Sequence, residues 1–313
     1  MKQKILITGG AGCLGTSIID RFLPLGSEIL VLDNFATGKK QNLPTYPGLS
    51  IFEGSVTDSE LVNKLFKEFQ PTLVINSAAA YKDPSNWKED SETNIIGSIN
   101  VAKASLENNV KKLINFQTAL CYGRPDRTPI PVNAPTKPFT SYGISKTAGE
   151  QFLINSGLNV ISLRLANICG PRLAIGPIPT FYTRLKAGKS CFCSDTVRDF
   201  IDMEDFLEVL NLAIEKEIAT GVYNVSTGKG SSIKDVFDEV VLHLGITAPE
   251  VPIVPVGTDD VKEVVLDPSH TEKEFQWKAK YNFKQTIKRQ LEWYDKFGVT
   301  DIYSHLSAPP KIK

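Results

Sequence analysis

The first half of the chain alternates short apolar runs with stretches in which apolar residues recur at helical spacing. The apolar runs are rich in valine, isoleucine and leucine and predict buried strands, while the amphipathic stretches predict helices. Strands are predicted at 4–8, 28–32, 50–52, 72–76, 112–116 and 159–165, and helices at 14–23, 59–69, 93–107 and 142–155. Continuous apolar strands separated by helices are typical of an α/β fold whose parallel sheet is covered on both faces.

This alternation becomes irregular from about residue 171, where several prolines interrupt the chain. A chain of 313 residues lies in the range in which one domain tends to divide into two. We therefore expect a first domain over 1–170 and a smaller C-terminal α/β substrate domain over 171–313. A helix predicted at 200–214 and a strand predicted at 222–225 again resemble the first half, so a segment near 198–226 is expected to return to the first domain.

The charge balance is neutral, with 35 basic and 35 acidic residues, and 42% of the residues are hydrophobic. This composition is typical of a globular protein and gives no indication of a nucleic acid or membrane partner. No apolar run approaches the roughly 20 residues that span a bilayer. The apolar run at the N-terminus is too short for the core of a signal peptide. We therefore expect a cytoplasmic protein.

The cysteines are five in number and scattered, which favours reduced thiols over a disulfide framework. Cys191 and Cys193 are separated by one residue, a spacing typical of one face of a strand. The paired cysteine and histidine spacings of zinc sites are missing from the sequence. No metal site is predicted.

A cluster of glycines follows the first predicted strand directly and precedes the first predicted helix. A bound pyrophosphate must approach the backbone closely, which side chains would block, and the free N–H groups at a helix N-terminus attract anions. A tight strand-to-helix turn also needs glycines for conformational reasons. The glycines alone therefore do not indicate a dinucleotide site, and the residues around them have to support it. The glycines are Gly9, Gly10, Gly12 and Gly15.

That context includes an acidic residue, Asp33, directly after the second predicted strand. A carboxylate at this place can accept hydrogen bonds from an adenosine ribose. The combination of strand, glycines, helix and acid predicts a Rossmann-type, doubly wound parallel sheet that binds a dinucleotide. Because a carboxylate repels a 2′-phosphate, NAD is favoured over NADP, although Lys39 and Lys40 nearby leave NADP open.

Tyr142 and Lys146 stand four positions apart in a predicted helix, so their side chains share one face. An ammonium near a phenol stabilises the phenolate and lowers a pKa that is ordinarily about 10. A phenol tuned in this way can exchange a proton with a sugar hydroxyl near neutral pH. The same spacing also occurs when a surface tyrosine lies beside a lysine. Whether this pair is catalytic therefore has to be judged from the rest of the chain.

Eight motifs along the chain resemble the extended short-chain dehydrogenase/reductase family, specifically its NAD-dependent nucleotide-sugar epimerases and dehydratases. The resemblance covers essentially the whole chain and is closest to epimerases of bacterial O-antigen (lipopolysaccharide) clusters. The motifs are TGGAGCLG (8–15), LDNFATG (32–38), NSAAA (76–80), NIIGS (94–98), QTALCYG (117–123), YGISK (142–146), LRLANICGPR (163–172) and RDFID (198–202).

The resemblance implies a role for each residue at a matching position. The catalytic set is Thr118, Tyr142 and Lys146, and the lysine would also hold the nicotinamide ribose. Thr118 would contact the sugar, and Asn167 and Arg198 its diphosphate, since the planar guanidinium suits phosphate oxygens. The implied NAD-binding residues are Gly9, Gly12, Cys13, Leu14, Gly15, Asp33, Asn34, Thr37, Gly38, Ser55, Val56, Ala78, Ala79, Ala80 and Asn94, together with Tyr142 and Lys146.

Two positions depart from the family pattern. Ser55 stands where the family usually has an aspartate that contacts adenine, so adenine contact would rely on Ser55 or on backbone groups. The second phosphate-binding arginine, expected near Val256 and Gly257, is missing. The diphosphate is therefore expected to be held in a different way.

The residues after Thr118 discriminate among reactions within the family. Ala119 and Leu120 stand where 4,6-dehydratases have an acid and a base, and neither can move a proton. Cys121 lies one position beyond the catalytic cysteine of deoxysugar 3,5-epimerases. The resemblance then implies C4 epimerisation of a UDP-hexose through a transient 4-keto sugar. A dehydratase or oxidoreductase that releases a keto sugar, and an NAD-binding protein without chemistry, are the alternatives.

The family also pairs into dimers through a four-helix interface. The helices near 91–106 and 141–155 of this chain occupy the matching places. A homodimer is therefore expected by resemblance.

Overall fold

The computed structural model describes residues 3–247 and 250–303. The chain forms two compact units, each assembled from three segments. The first comprises Met1–Cys121, Thr140–Arg164 and Leu210–Tyr223, and the second comprises Tyr122–Phe139, Leu165–Val209 and Asn224–Lys313. The sequence predicted a boundary at 170 and a return near 198–226. In the structure the loop that follows Cys121 also joins the second unit, and the returning segment is shorter.

The first eleven elements run from the N-terminus to residue 165. They are β1 (Lys4–Thr8), α1 (Cys13–Phe22), β2 (Glu28–Asp33), β3 (Leu49–Glu53), α2 (Ser59–Phe69), β4 (Leu73–Asn76), α3 (Trp87–Ser91), α4 (Gly97–Glu107), β5 (Lys112–Thr118), α5 (Ser141–Ile154) and β6 (Val160–Leu165).

The remaining elements include several very short strands. They are β7 (Asn167–Cys169), α6 (Pro177–Lys186), β8 (Cys193–Ser194), β9 (Val197–Arg198), β10 (Phe200–Asp202), α7 (Met203–Glu215), β11 (Gly221–Val225), β12 (Ser231–Ser232), α8 (Ile233–Leu244), β13 (Ile253–Val254), β14 (Glu263–Val264), α9 (Ser269–Phe275) and α10 (Phe283–Phe297).

The first unit is built on a seven-stranded sheet in the order β11–β6–β5–β4–β1–β2–β3, whose strand β11 continues into the second unit. The pairings of β1 with β2 and β4, of β2 with β3, and of β4 with β5 are all parallel. Strands β1, β2 and β4 are almost entirely buried because they are continuous apolar runs. This architecture confirms the α/β, Rossmann-type fold predicted from the sequence.

Two predicted helices begin differently in the structure. Within 200–214 the first three residues form β10, which pairs in parallel with β7, and helix α7 starts at Met203. Phe200 and Ile201 are buried in the strand, so their apolar side chains fit either secondary structure. The segment predicted as a helix at 93–107 begins within a π-helical turn, Glu92–Ile96, which continues from α3, and α4 itself starts at Gly97.

The second unit has a core of its own, built mainly from helices α6, α8 and α10. Phe181 and Phe237 meet edge to face with ring centroids 5.4 Å apart, and Tyr182 contacts Tyr294 at 5.2 Å. Cys193 is buried in this core at the start of β8, whereas Cys191, which was predicted to share a strand face with it, lies before this strand begins. Across the described ranges, 3–247 and 250–303, no helix has the length and apolar character needed to span a bilayer.

Candidate active site

The glycines after β1 are required by close backbone contacts. Gly9 has φ +67°, and a Cβ at this position would lie 2.8 Å from the backbone of Ala78. A Cβ at Gly15 would lie 2.5 Å from the Cα of Gly10. Helix α1 starts directly after Gly12, and in the part of the chain that the structure describes no side chain caps this helix. A helix N-terminus of this kind, with a glycine loop before it, suits an anion such as a pyrophosphate.

Asp33 ends β2 next to this glycine loop. Its Oδ2 accepts a hydrogen bond of 2.8 Å from the backbone N–H of Ala11, and its Oδ1 accepts one of 2.7 Å from that of Phe35. Burial raises the pKa of the carboxyl, and these two N–H groups act in the opposite direction. Each carboxylate oxygen can accept a further hydrogen bond. Asp33 therefore both fixes the glycine loop and remains able to accept from ribose hydroxyls.

Asn94 and Thr8 shape the chain that follows β4. The Oγ1 of Thr8 accepts hydrogen bonds of 3.1 Å from the N–H groups of Ser77 and Ala78. The side chain of Asn94 binds Ala80 twice, accepting from its N–H at 3.0 Å and donating to its carbonyl at 2.9 Å. It also donates to the Oγ of Ser145 at 3.0 Å. The structure thus places Asn94 as the residue that holds Ala80, so its predicted cofactor role would act largely through this loop.

Cys13 and Leu14 begin α1, and further predicted cofactor residues lie in the turns after β2 and β3. The Oδ1 of Asn34 accepts from the N–H of Ala36 at 3.1 Å. The Oγ of Ser55, the residue in place of the family aspartate, accepts from both the N–H and the hydroxyl of Thr57. Gly38 lies against the glycine loop, since a Cβ there would come 2.8 Å from that of Ala11. The turns after these two strands therefore lie at the end of the sheet where the glycine loop begins.

The three predicted catalytic residues come together within the first unit. Thr118 is the last residue of β5, and its hydroxyl lies close enough to the phenol of Tyr142, the second residue of α5, to lower the pKa of that phenol. The N-cap of this helix is Thr140, whose hydroxyl accepts from the N–H of Gly143 at 3.1 Å. Lys146 follows one turn later and is 6% exposed. The ring of Tyr81 lies beside that of Tyr142, with centroids 5.8 Å apart.

The pKa of Tyr142 is raised rather than lowered in the protein alone, contrary to the expectation from the Tyr–Lys spacing. Burial is the main cause, followed by the neighbouring phenol of Tyr81, while the hydrogen bond with Thr118 lowers the pKa. Asp90 and Cys121 raise it further. The pKa of Lys146 is itself lowered to about 8 by burial, against an opposing effect of Glu150. Desolvation thus outweighs the attraction on which the prediction relied.

The predicted diphosphate ligands lie in the second unit. Both the backbone N–H and the side-chain amide of Asn167 donate to the carbonyl of Asp199 at 3.0 Å. The Nη1 of Arg198 donates to the carbonyl of Val197 at 2.8 Å, and its Nη2 forms an ion pair with Asp260. The structure therefore brings Asn167 next to the segment that carries Arg198.

Sequence reasoning missed Asp199 and Asp260. The carboxylate of Asp199 is fully buried and accepts hydrogen bonds from the N–H groups of Thr227 and Gly228, and burial raises its pKa to about 6. Asp260 follows soon after the segment in which the second phosphate-binding arginine is missing. The acidic pair Asp259 and Asp260 was the available signal.

Comparison with known proteins finds related sequences and structures. The family model of the NAD dependent epimerase/dehydratase family matches residues 5–226. The Bordetella bronchiseptica enzyme WbmG, solved with NAD and with NAD and UDP, is 64% identical, with 98% of each chain covered and a TM-score of 0.93. The UDP-glucose 4-epimerase of Thermotoga maritima, solved with UDP-glucose, is 29% identical over 94% of this chain and 99% of that one, with a TM-score of 0.87. UDP-arabinose 4-epimerase 1 of Arabidopsis thaliana is 29% identical over 92% of this chain and 78% of its own length.

Proposed function

Because the chain belongs to the NAD-dependent epimerase/dehydratase family, we propose that it inverts C4 of a UDP-hexose through a transient 4-keto sugar. The observation that carries the proposal is the proximity of the Thr118 hydroxyl to the Tyr142 phenol, whose pKa it lowers, in the unit that also holds the glycine loop. Ala119 and Leu120 follow Thr118, so the acid and base that a dehydratase needs at these positions are missing. Oxidation and reduction at one carbon need no such pair.

NAD fits the first unit. The close contacts at Gly9 and Gly15 leave backbone rather than side chains facing a pyrophosphate, and Asp33 offers carboxylate oxygens to a ribose. Lys146 is the cation that would hold the nicotinamide ribose. When bound, NAD supplies a hydride acceptor at C4 of its nicotinamide ring and a positive charge on that ring.

The protein groups move one proton out and back. The phenolate of Tyr142 accepts the proton of the sugar O4 as the C4–H bond gives up its hydride, and a 4-keto sugar results. The keto sugar then turns, and hydride returns to the opposite face of C4 while Tyr142 returns the proton to O4. The hydroxyl of Thr118 aligns the phenol. The reaction is redox-neutral, and the protein ends in its starting state.

The phenolate of Tyr142 needs positive charge nearby, because burial raises the pKa of this phenol. In the protein alone, burial keeps this phenol protonated, and Lys146 has a lowered pKa of its own. An additional positive charge near the phenol is what would favour the phenolate. Oxidised nicotinamide carries such a charge, so we expect deprotonation of the sugar to require the oxidised cofactor.

Recognition of the substrate is assigned to the diphosphate. Arg198 has a planar guanidinium for phosphate oxygens, and Asn167 keeps its amide oxygen while donating its N–H to Asp199. Turning of the keto sugar requires a firm hold on the nucleotide diphosphate and a loose hold on the hexose. The missing second arginine makes Arg198 the main cationic ligand in this proposal.

The test is a panel of UDP-, TDP- and GDP-hexoses incubated with the NAD-loaded protein and followed by NMR. Inversion at C4 without net NADH is the expected result. A released keto sugar would overturn the epimerase proposal in favour of a dehydratase or oxidoreductase. Bound NAD with no turnover of any sugar would overturn the enzymatic proposal altogether.

We also propose a homodimer formed through α4 and α5. Large apolar side chains on and beside these helices are exposed: Ile96 by 46%, Leu106 by 46%, Ile144 by 50% and Phe152 by 53%. Exposed apolar faces of this kind mark interaction surfaces. A cytoplasmic location and a role in lipopolysaccharide sugar synthesis stay predictions from the sequence.

A further inference from the structure

One buried amide joins the strand and the helix that carry the catalytic residues. Gln117 is 2% exposed and precedes Thr118 at the end of β5. Its Oε1 accepts a hydrogen bond of 2.7 Å from the backbone N–H of Thr118, and its Nε2 donates one of 3.0 Å to the carbonyl of Lys146. A single side chain therefore contacts the backbone of two of the three catalytic residues.

These two contacts act on groups that belong to separate elements. Thr118 lies on β5, whereas Tyr142 and Lys146 lie one turn apart on α5. The carbonyl of Lys146 lies in the middle of α5, so the amide of Gln117 adds a bond from outside the helix. Fixing this carbonyl fixes the position of the turn that begins at Tyr142. The separation between the Thr118 hydroxyl and the Tyr142 phenol is thereby constrained from both sides.

We propose that Gln117 is a positioning residue that holds β5 and α5 in the register at which the Thr118 hydroxyl meets the Tyr142 phenol. The inference rests on the proposed epimerase function. A displacement of reacting groups by about 1 Å costs on the order of 100-fold in rate. Two hydrogen bonds to catalytic backbone are a direct way to prevent such a displacement, because they restrain both groups before the substrate arrives.

A nearby residue, Asn115, offers a control that distinguishes a positioning role from ordinary stabilisation of the core. Asn115 lies two residues earlier on the same strand, hence on the same face, and is also 2% exposed. It accepts from Asn76 and donates to Ser162, each at 3.1 Å. Its partners are side chains on the two neighbouring strands, and its two hydrogen bonds do not touch the catalytic residues. Asn115 is therefore a matched control with similar burial and bonding.

The experiment compares Gln117→Leu with Asn115→Leu. Both variants lose two buried hydrogen bonds and should lose similar thermal stability. We expect Gln117→Leu to lower kcat about 100-fold while KM for the UDP-hexose and Kd for NAD stay near those of the unchanged protein. We expect Asn115→Leu to keep kcat. Rates are taken per NAD-loaded molecule, well below the melting temperature of each variant.

A second variant covers the case in which Gln117→Leu fails to fold. Gln117→Glu keeps the shape and the acceptor for the Thr118 N–H, and replaces the donor to Lys146 by a second acceptor. It should also lower kcat with little change in KM. If the foldable Gln117 variants keep kcat like Asn115→Leu, or if they lower NAD affinity and kcat in parallel, the positioning role is refuted. Absence of turnover in the unchanged protein would refute the epimerase function, and this inference with it.

Discussion

At the scale of single residues, burial displaces the pKa values of two groups on α5 in opposite directions. It raises the pKa of the Tyr142 phenol and lowers that of the Lys146 ammonium to about 8, because desolvation favours the neutral form of each. The protein by itself therefore holds a neutral phenol next to a weakened ammonium. The hydroxyl of Thr118 acts in the opposite direction to burial and lowers the pKa of Tyr142.

Replacement of Tyr142 by phenylalanine removes the proton acceptor and leaves the ring in place. Turnover should fall by at least about 100-fold, the usual contribution of a general base. Affinity for NAD should change little, because the glycine loop and Asp33 are untouched. NMR for the sugar and calorimetry for NAD are the two measurements. Turnover at the level of the unchanged protein would remove Tyr142 from the mechanism.

The lowered pKa of Lys146 has a measurable consequence for stability. Between about pH 8 and the ordinary lysine value of 10.5, the unfolded chain binds a proton that the folded chain has lost. Stability contributed by this group therefore rises with pH across that window. The raised pKa of Tyr142 acts in the opposite sense, and it does so from about pH 10 upwards.

The control for this prediction is Lys146→Met, which removes the titrating group and keeps an unbranched apolar side chain only one atom shorter. The melting temperature of the unchanged protein, relative to that of the variant, should increase from pH 8 to pH 10. Taking the difference cancels groups common to both proteins. A constant difference across this range would contradict the lowered pKa.

At the scale of elements, the first half of the fold could be predicted because its strands are continuous apolar runs. Helix α2 begins and ends at the predicted residues, and β1 does as well. The strand β10 was mistaken for helix since Phe200 and Ile201 are buried and precede a true helix without a break. Strands of two residues, such as β9, are too short to show any periodicity.

The candidate site also has features that could be predicted from the sequence and features that could not. The spacing of Tyr142 and Lys146 predicts that these two side chains share one face of a helix, whereas Thr118, on β5, was assigned by resemblance alone. The contacts of the Gln117 amide could not be predicted from the sequence, because its partners are backbone groups, one on its own strand and one on α5. The raised pKa of Tyr142 could not be predicted either, because it depends on burial and on Tyr81, which lies in a loop far away in sequence.

The exposed apolar residues of α4 and α5 give a prediction about assembly. Leu106 and Phe152 are 46% and 53% exposed, and changing both to glutamate would place charges in the proposed interface. Light scattering after size exclusion should show a dimer for the unchanged protein and a monomer for the double variant. Leu242→Glu is the control, because Leu242 is 72% exposed on α8 and should leave the dimer intact. A monomeric unchanged protein would refute the proposed dimer.

At the scale of the whole molecule, the residues assigned to NAD and those assigned to the diphosphate of the sugar nucleotide belong to different units. The groups assigned to NAD lie in the first unit, and Asn167 and Arg198 lie in the second. Arg198→Ala should therefore weaken UDP binding by about 10- to 100-fold, the range for hydrogen bonds to charged groups. Affinity for NAD should be unchanged in the same calorimetric experiment.

Arg289→Ala provides the matched control for Arg198. Arg289 also belongs to the second unit and also forms an ion pair, with Asp202 at 2.8 Å. Its removal should leave UDP affinity near that of the unchanged protein. Equal losses of UDP affinity in both variants would indicate general damage to the unit rather than loss of a phosphate ligand.

The chain passes from one unit to the other five times, the last time after Tyr223. During synthesis, the segment Leu210–Tyr223 leaves the ribosome long after the glycine loop, yet it is needed to complete the first unit. Neither unit can be obtained by a single truncation, and a gene cut at any one point yields two incomplete pieces. Production of either unit by itself would therefore require its three segments to be joined anew.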